Sequence, residues 1–364
     1  MKEKQMPKYL QLKQEILSWL HAGRLKPNDQ MPSENEIAEQ FQMSRQTVRQ
    51  TFGALEQEGW LYRVQGKGTF VSTPQSQKGR DVQTIGIVTT YISDYIFPHI
   101  VRGAEAALRS RGYRLLLSST DNDKEKERES LNMMISQPLS GLIIEPTKSA
   151  EGNPNLSYFL SLDYHHIPYL MMNAKYAEMN CPCLLVDDEE GGYLAARHLI
   201  ELGHRHIAGF FKTDDLQGVN RLKGFIRAHR EHDVPLSPDL VIHYTTEEKK
   251  SKPYESAVSM LSRTEDRPTA FVCYNDELAV HLLEAVRTTG LQVPQDVSMV
   301  GFDDSSLAVA TEVKLTTLTH PKTELGADAA EMLINMIENK HDRGKMPTKT
   351  YTPELVVRES TLRL

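Results

Sequence analysis

Apolar positions follow two different periods along the chain, and the change comes near residue 84. Before it the spacing is helical. Pro32-Ser33 opens a short segment in which Ile37, Ala38 and Phe41 share one face, and Ser33 and Glu36 stand at the S-x-x-E spacing of a reciprocal capping box. After Gln42-Met43, Ser44 is a plausible second N-cap, and Val48, Phe52 and Leu55 recur at helical spacing as a buried stripe. Trp60 to Val64 and Thr69 to Val71 then alternate around Gln65-Gly66-Lys67-Gly68, which predicts a hairpin. Past a polar stretch, STPQSQKGRDVQ, short β-rich runs alternate with helical ones. TIGIVTTY, YRLLLSST, GLIIEPT, PYLMMNA and CLLVDD are followed by HIAGFFK, LVIHYT, TAFVCYN and VSMVGFDD, a parallel α/β pattern given twice.

The helical stripe leaves Arg45, Gln46, Thr47 and Arg49 pointing outward at the start of the second helix. A recognition helix enters the major groove with its N-terminal residues at base edges, where Arg suits guanine and Gln suits adenine. An ordinary solvated helix face is the competing reading, and the hairpin weighs against it. Its glycines let the backbone approach phosphate or the minor groove, with Lys67 and Gln65 adding charge and hydrogen bonds. The predicted fold is therefore a small α/β winged helix-turn-helix domain plus a two-subdomain α/β domain with parallel sheets. Residues 1–71 form the first domain, 72–83 a flexible linker and 84–364 the second.

Charge sharpens this division. The first 71 residues carry a net +2 and the remainder −9, within an overall −7. A small basic module on an acidic body is adequate for DNA, because affinity depends on local phosphate contacts. The charged, amphipathic N-terminal segment MKEKQMPKYLQLKQEIL has no signal-peptide pattern, and no apolar run would span a bilayer, so a cytoplasmic protein is expected. Three cysteines, two of them in Cys181-Pro182-Cys183, offer neither a disulfide framework nor a zinc spacing. His165-His166, His204-Arg205-His206 and His229 with His232 contain no HExxH. No G-x-S-x-G, Walker A or dinucleotide fingerprint is present, so no enzyme, cofactor or metal is expected.

In open α/β sheets ligands sit beyond the carboxyl ends of the strands. Thr89, Glu145, Asn173, Asp187, Lys212, Asn275, Asp276 and Asp303 all follow a buried run there. Asp187 and Asp276 are equally readable as helix caps. Tyr91, Asp94 and Glu145 sit on loops after the first and third strands and can reach the same cleft, with core packing as the alternative for Tyr91.

PKYLQLKQEIL, PSE, SRQTVR and the glycine hairpin together resemble the DNA-binding domain of the GntR family of bacterial regulators. That resemblance implies that Lys8, Ser33, Glu34, Ser44, Arg45, Gln46, Thr47, Arg49, Gln65, Gly66, Gly68 and Thr69 touch or organise DNA. Glu34 then either orients an arginine or accepts from a cytosine amino group, or it stabilises its helix N-terminus. From Thr84 onward GYRLLLSST, LIELGHRHIAGF, RLKGF, CYNDELA, VPQDVSMVGFDD and TTLTHPKTELG resemble the LacI-family effector domain, which implies a periplasmic-binding-protein-like fold. The implied effector residues are Phe97 as an apolar wall or core residue, Arg221 as a bidentate donor, Asn275 and Asp303 as hydroxyl partners, and His320; Asn173 joins them by its strand-end position. IGIVTTYISDYIFPHIVRG and GLIIEPTKSA narrow the likeness to repressors of arabinose utilisation, which implies L-arabinose.

The predicted function is a sugar-responsive transcriptional repressor that binds double-stranded operator DNA as a homodimer and is released by the sugar. The dimer follows from the few base contacts one winged module makes, and the amphipathic helix from His99 to Arg111 is its candidate surface. A solute-binding protein without catalytic activity, or a regulator answering to another sugar, is the alternative.

Overall fold

In a computed structural model the chain divides into two compact units, Met1–Asp81 and Val82–Leu364. The structure describes residues 8–21, 24–26, 28–57, 60–64, 67–72, 83–93, 95–339 and 348–364. The candidates Gln65, Gly66 and Asp94, and residues 73–82 of the expected linker, lie outside them.

The first unit contains α1 (Lys8–His21), α2 (Glu34–Gln40) and α3 (Arg45–Gln57), then the antiparallel pair β1 (Leu61–Val64) and β2 (Gly68–Val71). Local chemistry sets these boundaries. Ser33 Oγ accepts the Glu36 N–H at 3.3 Å and the Glu36 carboxylate accepts the Ser33 N–H at 2.7 Å, so α2 starts on the predicted capping box. At the start of α3, Thr47 N–H donates to Ser44 Oγ at 3.1 Å. Val48, Phe52 and Leu55 pack against Leu12 and Ile16 of α1, Ile37 of α2, and Leu61 and Val71 of the hairpin. Gly68 stands at φ 115°, a conformation that favours glycine, where β2 begins. Met31 N–H donates to Thr69 O and Val71 N–H to Asp29 O, which ties the hairpin to the segment before α2.

The second unit has two lobes. In the first, β3 (Thr84–Thr89), β4 (Arg114–Ser119), β5 (Gly141–Ile144), β6 (Tyr169–Met172), β7 (Cys183–Val186) and β13 (Lys349–Tyr351) form a parallel sheet in the order β13-β7-β6-β5-β3-β4. One face packs on α4 (Phe97–Ser110) and α12 (Lys322–Glu338), the other on α5 (Lys124–Ile135) and α6 (Leu156–Tyr164). In the second lobe β8 (Ile207–Lys212), β9 (Val241–Tyr244), β10 (Ala270–Cys273) and β11 (Ser298–Val300) make a parallel sheet in the order β11-β10-β8-β9. It is covered by α7 (Asp188–Glu201) and α8 (Leu216–Glu231) on one face and by α9 (Lys252–Leu261) and α10 (Asp276–Thr288) on the other. The short helix α11 (Leu307–Ala310) and the two-stranded pair β12 (Thr317–Leu318) and β14 (Leu355–Val356) complete this lobe.

The described chain crosses between lobes at three places: β7 to α7, near His320, and β13 to β14. The two runs of α/β pattern are thus not strictly consecutive, because α12 and β13 return to the first lobe. A three-residue strand, KTY, carries too little periodicity to reveal this in sequence.

Two helix crossings are backbone to backbone. A Cβ on Gly103 would collide with Thr323 O, and this lets α4 lie directly on α12. The inner face of α4, Ile100, Ala104 and Leu108, is spent inside its own lobe. A Cβ on Gly192 would likewise meet the Arg221 carbonyl, so α7 and α8 approach closely enough to bring Asp188 against Arg221. Among the described residues no helix is long and apolar enough to cross a membrane.

Candidate functional site

Two surfaces carry the predicted chemistry, one on each unit. On the first, Arg45, Gln46 and Arg49 are exposed on the opening turns of α3, and Lys8 is exposed at the first residue of α1. Lys67 and Gly68 are exposed at the hairpin, with Thr69 half-buried behind them. The hydroxyls of Ser33, Ser44 and Thr47 serve local structure: Ser33 and Ser44 cap their helices, and Ser44 Oγ and Thr47 Oγ1 share a 2.8 Å hydrogen bond. Sequence reasoning missed two further residues. Arg63 projects from β1 beside Glu34, and Gln30 Nε2 donates to Lys67 O at 2.8 Å, pinning the hairpin turn. The available signal for Arg63 was a lone cation in an otherwise apolar, aromatic strand, LYRV.

Glu34 joins these pieces. Its carboxylate accepts Arg49 Nε at 3.2 Å on one oxygen and an Arg63 terminal nitrogen at 3.1 Å on the other. Both oxygens are therefore engaged, which fits the arginine-orienting reading better than acceptance from a cytosine. Removing an acid near DNA raises affinity for any sequence if charge is its whole effect. Glu34→Ala is expected instead to strengthen binding to scrambled duplex while weakening specific binding, lowering the ratio by roughly tenfold, on the order of one lost base contact. Anisotropy titrations on both duplexes check this; equal gains on both would reduce Glu34 to a simple charge.

In the second unit, Tyr91, Phe97, Glu145, Asn173, Arg221, Asn275, Asp303 and His320 line one cavity between the lobes, of about 130 Å³. That is room for on the order of ten waters, the scale of a single monosaccharide. Strand geometry brings these residues together from positions far apart in sequence, because both parallel sheets direct their carboxyl ends at the cleft.

The network inside the cavity assigns polarity to its members. Glu145 accepts from Thr89 Oγ1, Thr90 N and Thr90 Oγ1 at 2.8–2.9 Å, and from Asn173 Nδ2 at 2.8 Å. With Asn173 Nδ2 donating, its Oδ1 is the acceptor for His320 Nε2 at 3.3 Å, which makes Nε2 the protonated nitrogen. His320 Nδ1 is then a buried acceptor with no partner among the described residues. Burial pushes the His320 pKa down to about 4, so the ring is neutral at pH 7.

Arg221 is less available than the sequence reading expects. Its Nε donates to Asp188 at 2.8 Å, one terminal nitrogen to Tyr274 O at 2.6 Å and the other to Asp303 at 3.5 Å, while the guanidinium stacks 3.5 Å from the Phe302 ring centroid. Three of its five N–H groups are committed, leaving at most two for a ligand. Burial pushes the Asp188 carboxyl up to about 6 even against the attraction of Arg221. Asn275 Oδ1 caps α10 through the Leu278 N–H, so its amide nitrogen is what it offers. Asp187 does cap α7, through the Glu190 N–H at 3.0 Å. The Asp276 side chain caps nothing: it accepts from Thr317 Oγ1 and from Ser305 N and Oγ, and burial lifts its pKa to about 7.

The lining residues Asp188 and Tyr95 escaped sequence reasoning. Asp188 stood next to the capping Asp187. Tyr95 Oη donates to Phe302 O at 2.9 Å and accepts the Asp276 N–H at 3.1 Å, bridging the lobes from a left-handed φ of 58°. Lys212, visible as a polar strand end, is buried between Asp215 at 3.0 Å and Asp214 at 3.3 Å; burial works to lower its pKa, but the two acids outweigh it and hold it charged. Asn173 and Asp303 also adopt positive φ, 64° and 91°, and backbone strain of this kind gathers at ligand sites. Five carboxylates face three Lys or Arg side chains around the cavity. That balance suits a neutral polyhydroxyl ligand and disfavours a phosphorylated one.

Comparison with known proteins follows the same two-part division. Residues 8–71 match the model for bacterial regulatory proteins of the gntR family, and residues 196–361 that for the periplasmic binding protein-like domain. The chain is 65% identical to an arabinose metabolism transcriptional repressor of Geobacillus stearothermophilus over 99% of each chain. It is 47% identical to one from Halalkalibacterium halodurans, covering 97% of this chain and 96% of that one. A LacI family transcriptional regulator from Enterococcus faecium, solved with bound ribose, superposes with a TM-score of 0.66 at 26% identity, covering 78% of this chain and all of that one.

Proposed function

Because the chain belongs to the family of arabinose metabolism transcriptional repressors, a class of regulators rather than enzymes, we propose that it represses arabinose-utilisation genes in the cytoplasm and is released from its operator by L-arabinose. Residues 1–71 read DNA as part of a homodimer, with Arg45, Gln46 and Arg49 at base edges or phosphates and Lys67 to Thr69 at the wing. Residues 84–364 hold the sugar in the interlobe cavity. The observation that carries the effector reading is that cavity: it is small and rich in carboxylate and amide groups, and it holds a neutral imidazole acceptor at His320. Sugar hydroxyls both donate and accept, and they need a few fixed partners of each kind.

In this reading sugar and operator are coupled through one equilibrium, so each weakens the other's binding by the same factor. The test is operator binding by fluorescence anisotropy at one stated salt concentration, titrated with L-arabinose, xylose, ribose, galactose and glucose. Release by L-arabinose at the lowest concentration supports the assignment. Release by another sugar alone transfers it to that sugar, and no release by any of them overturns the effector reading while leaving the DNA reader standing.

A further inference from the structure

Besides the bridges made by Tyr95 and by Lys322 Nζ, which donates to Asp303 O and Asp304 O, the two lobes of the effector unit meet at the turn after β5, residues 147–151. Leu216 is the first residue of α8, and its N–H has no partner within its own helix. It donates instead to Ser149 Oγ of the opposite lobe at 2.9 Å. Ala150 N–H donates to Asp214 O at 3.3 Å, and Lys148 Nζ to the Glu247 carboxylate at 2.6 Å. Alongside, Asn122 Nδ2 donates to Thr246 Oγ1 at 2.6 Å, and that hydroxyl donates to Asp214 Oδ2 at 2.6 Å. Asn122 Oδ1 accepts the Lys148 N–H at 2.8 Å, which links the turn and the crossing bond into one chain. Ser149, Asn122 and Asp214 are buried, whereas Lys148, Ser149, Thr246 and Glu247 do not line the cavity.

We propose that residues 147–151 act as a clasp that closes the cleft without sugar, and so set the fraction of sugar-free protein already in the closed form. A ligand that binds only the closed form has an apparent Kd equal to its intrinsic Kd divided by that fraction. The clasp is therefore a common multiplier on the affinity for every ligand, while the cavity lining sets which ligand is preferred. Water replaces each of these hydrogen bonds when the cleft opens, so their net value is modest. That suits a bias on an equilibrium that must remain reversible. In a repressor released by closure, a weaker clasp makes the sugar-free protein hold its operator more tightly and need more sugar to let go.

The full-length chain with Ser149→Ala, Thr246→Val or both is compared with the unsubstituted protein by calorimetric titration with L-arabinose and with a second, weaker-binding pentose. Small-angle scattering is recorded with and without sugar. Each single substitution is expected to raise the Kd for both sugars by the same factor, roughly 2- to 10-fold, and to enlarge the sugar-free particle without changing the sugar-saturated one. Factors that differ between the two sugars, or unchanged affinities with unchanged sugar-free scattering, overturn the clasp. Should the unsubstituted protein bind neither sugar, the effector reading fails by itself, and sugar-free scattering of the variants still decides the clasp. Should Ser149→Ala fold poorly, Lys148→Met tests the partly exposed ion pair. Its smaller effect must run in the same direction and fade at high salt, where the pair is screened.

Discussion

Arg45→Ala is expected to abolish specific operator binding while leaving sugar affinity and thermal stability unchanged. Arg45 is exposed at the first residue of α3, outside the cluster of Val48, Phe52 and Leu55, so removing its side chain opens no cavity. An arginine bidentate to guanine contributes about 1–3 kcal/mol of discrimination. A symmetric dimer loses that contribution at both half-sites, about 2–6 kcal/mol in all if the two are independent, so affinity falls by roughly 30-fold to more than 10⁴-fold. Binding to scrambled duplex should fall much less, because phosphate contacts elsewhere supply it. The check is a pair of anisotropy titrations on operator and scrambled DNA with a parallel sugar titration. An equal loss on both duplexes would make Arg45 a phosphate contact, and a changed sugar affinity would undo the separation of roles between the two units.

The second large effect belongs to Arg221→Ala, which should remove the response to sugar and weaken the effector unit together. The side chain is buried, with Asp188 at 2.8 Å and Asp303 at 3.5 Å. Breaking a buried pair from one side leaves the opposite charges unpaired, a loss on the order of 3–5 kcal/mol. Asp188, already lifted to about 6 by burial, would lose the cation that opposes that shift and would rise further. Above pH 6 part of the loss is the cost of ionising Asp188 in a dry site. Relative to the unsubstituted protein, the defect should therefore shrink as the pH falls toward about 6 and level off below it, where Asp188 is protonated in both folded proteins. Melting curves between pH 5 and 8, with operator release by sugar measured in parallel, check both halves. A variant that keeps its sugar response would remove Arg221 from the effector site, and one that keeps its melting temperature would contradict the buried network.

Arg221 also marks where sequence reading stopped. Its place in the cleft followed from a motif resemblance, but its partners did not. Asp188 and Arg221 are 33 residues apart, and they meet because Gly192 lets α8 lie against α7. Glu34 is a similar case. Its three readings, orienting an arginine, accepting from a cytosine amino group or stabilising its helix N-terminus, were all legible, yet only the folded hairpin brings Arg63 within reach of it, 29 residues on. Asn275 rather than Asp276 caps α10 for a local reason: the one-residue choice of where the helix begins decides which side chain caps it, and sequence alone leaves helix ends uncertain by that much.

What the sequence determined by itself is whatever rests on neighbours within one element. The capping box at Ser33 and Glu36, the stripe of Val48, Phe52 and Leu55, the hairpin glycines and the alternation of short apolar runs with amphipathic helices are of this kind. Periodicity and capping act over a few residues, so the winged helix-turn-helix and the two parallel sheets could be read directly. The tertiary structure alone decided the return of α12 and β13 to the first lobe, the protonation of His320, the burial of Lys212 between two acids, and the contact of Ser149 with the start of α8. Each depends on side chains brought together across tens of residues or more by sheet order and helix packing, or, for Lys212 and its neighbouring acids, on the depth at which the fold buries them. Local periodicity encodes neither.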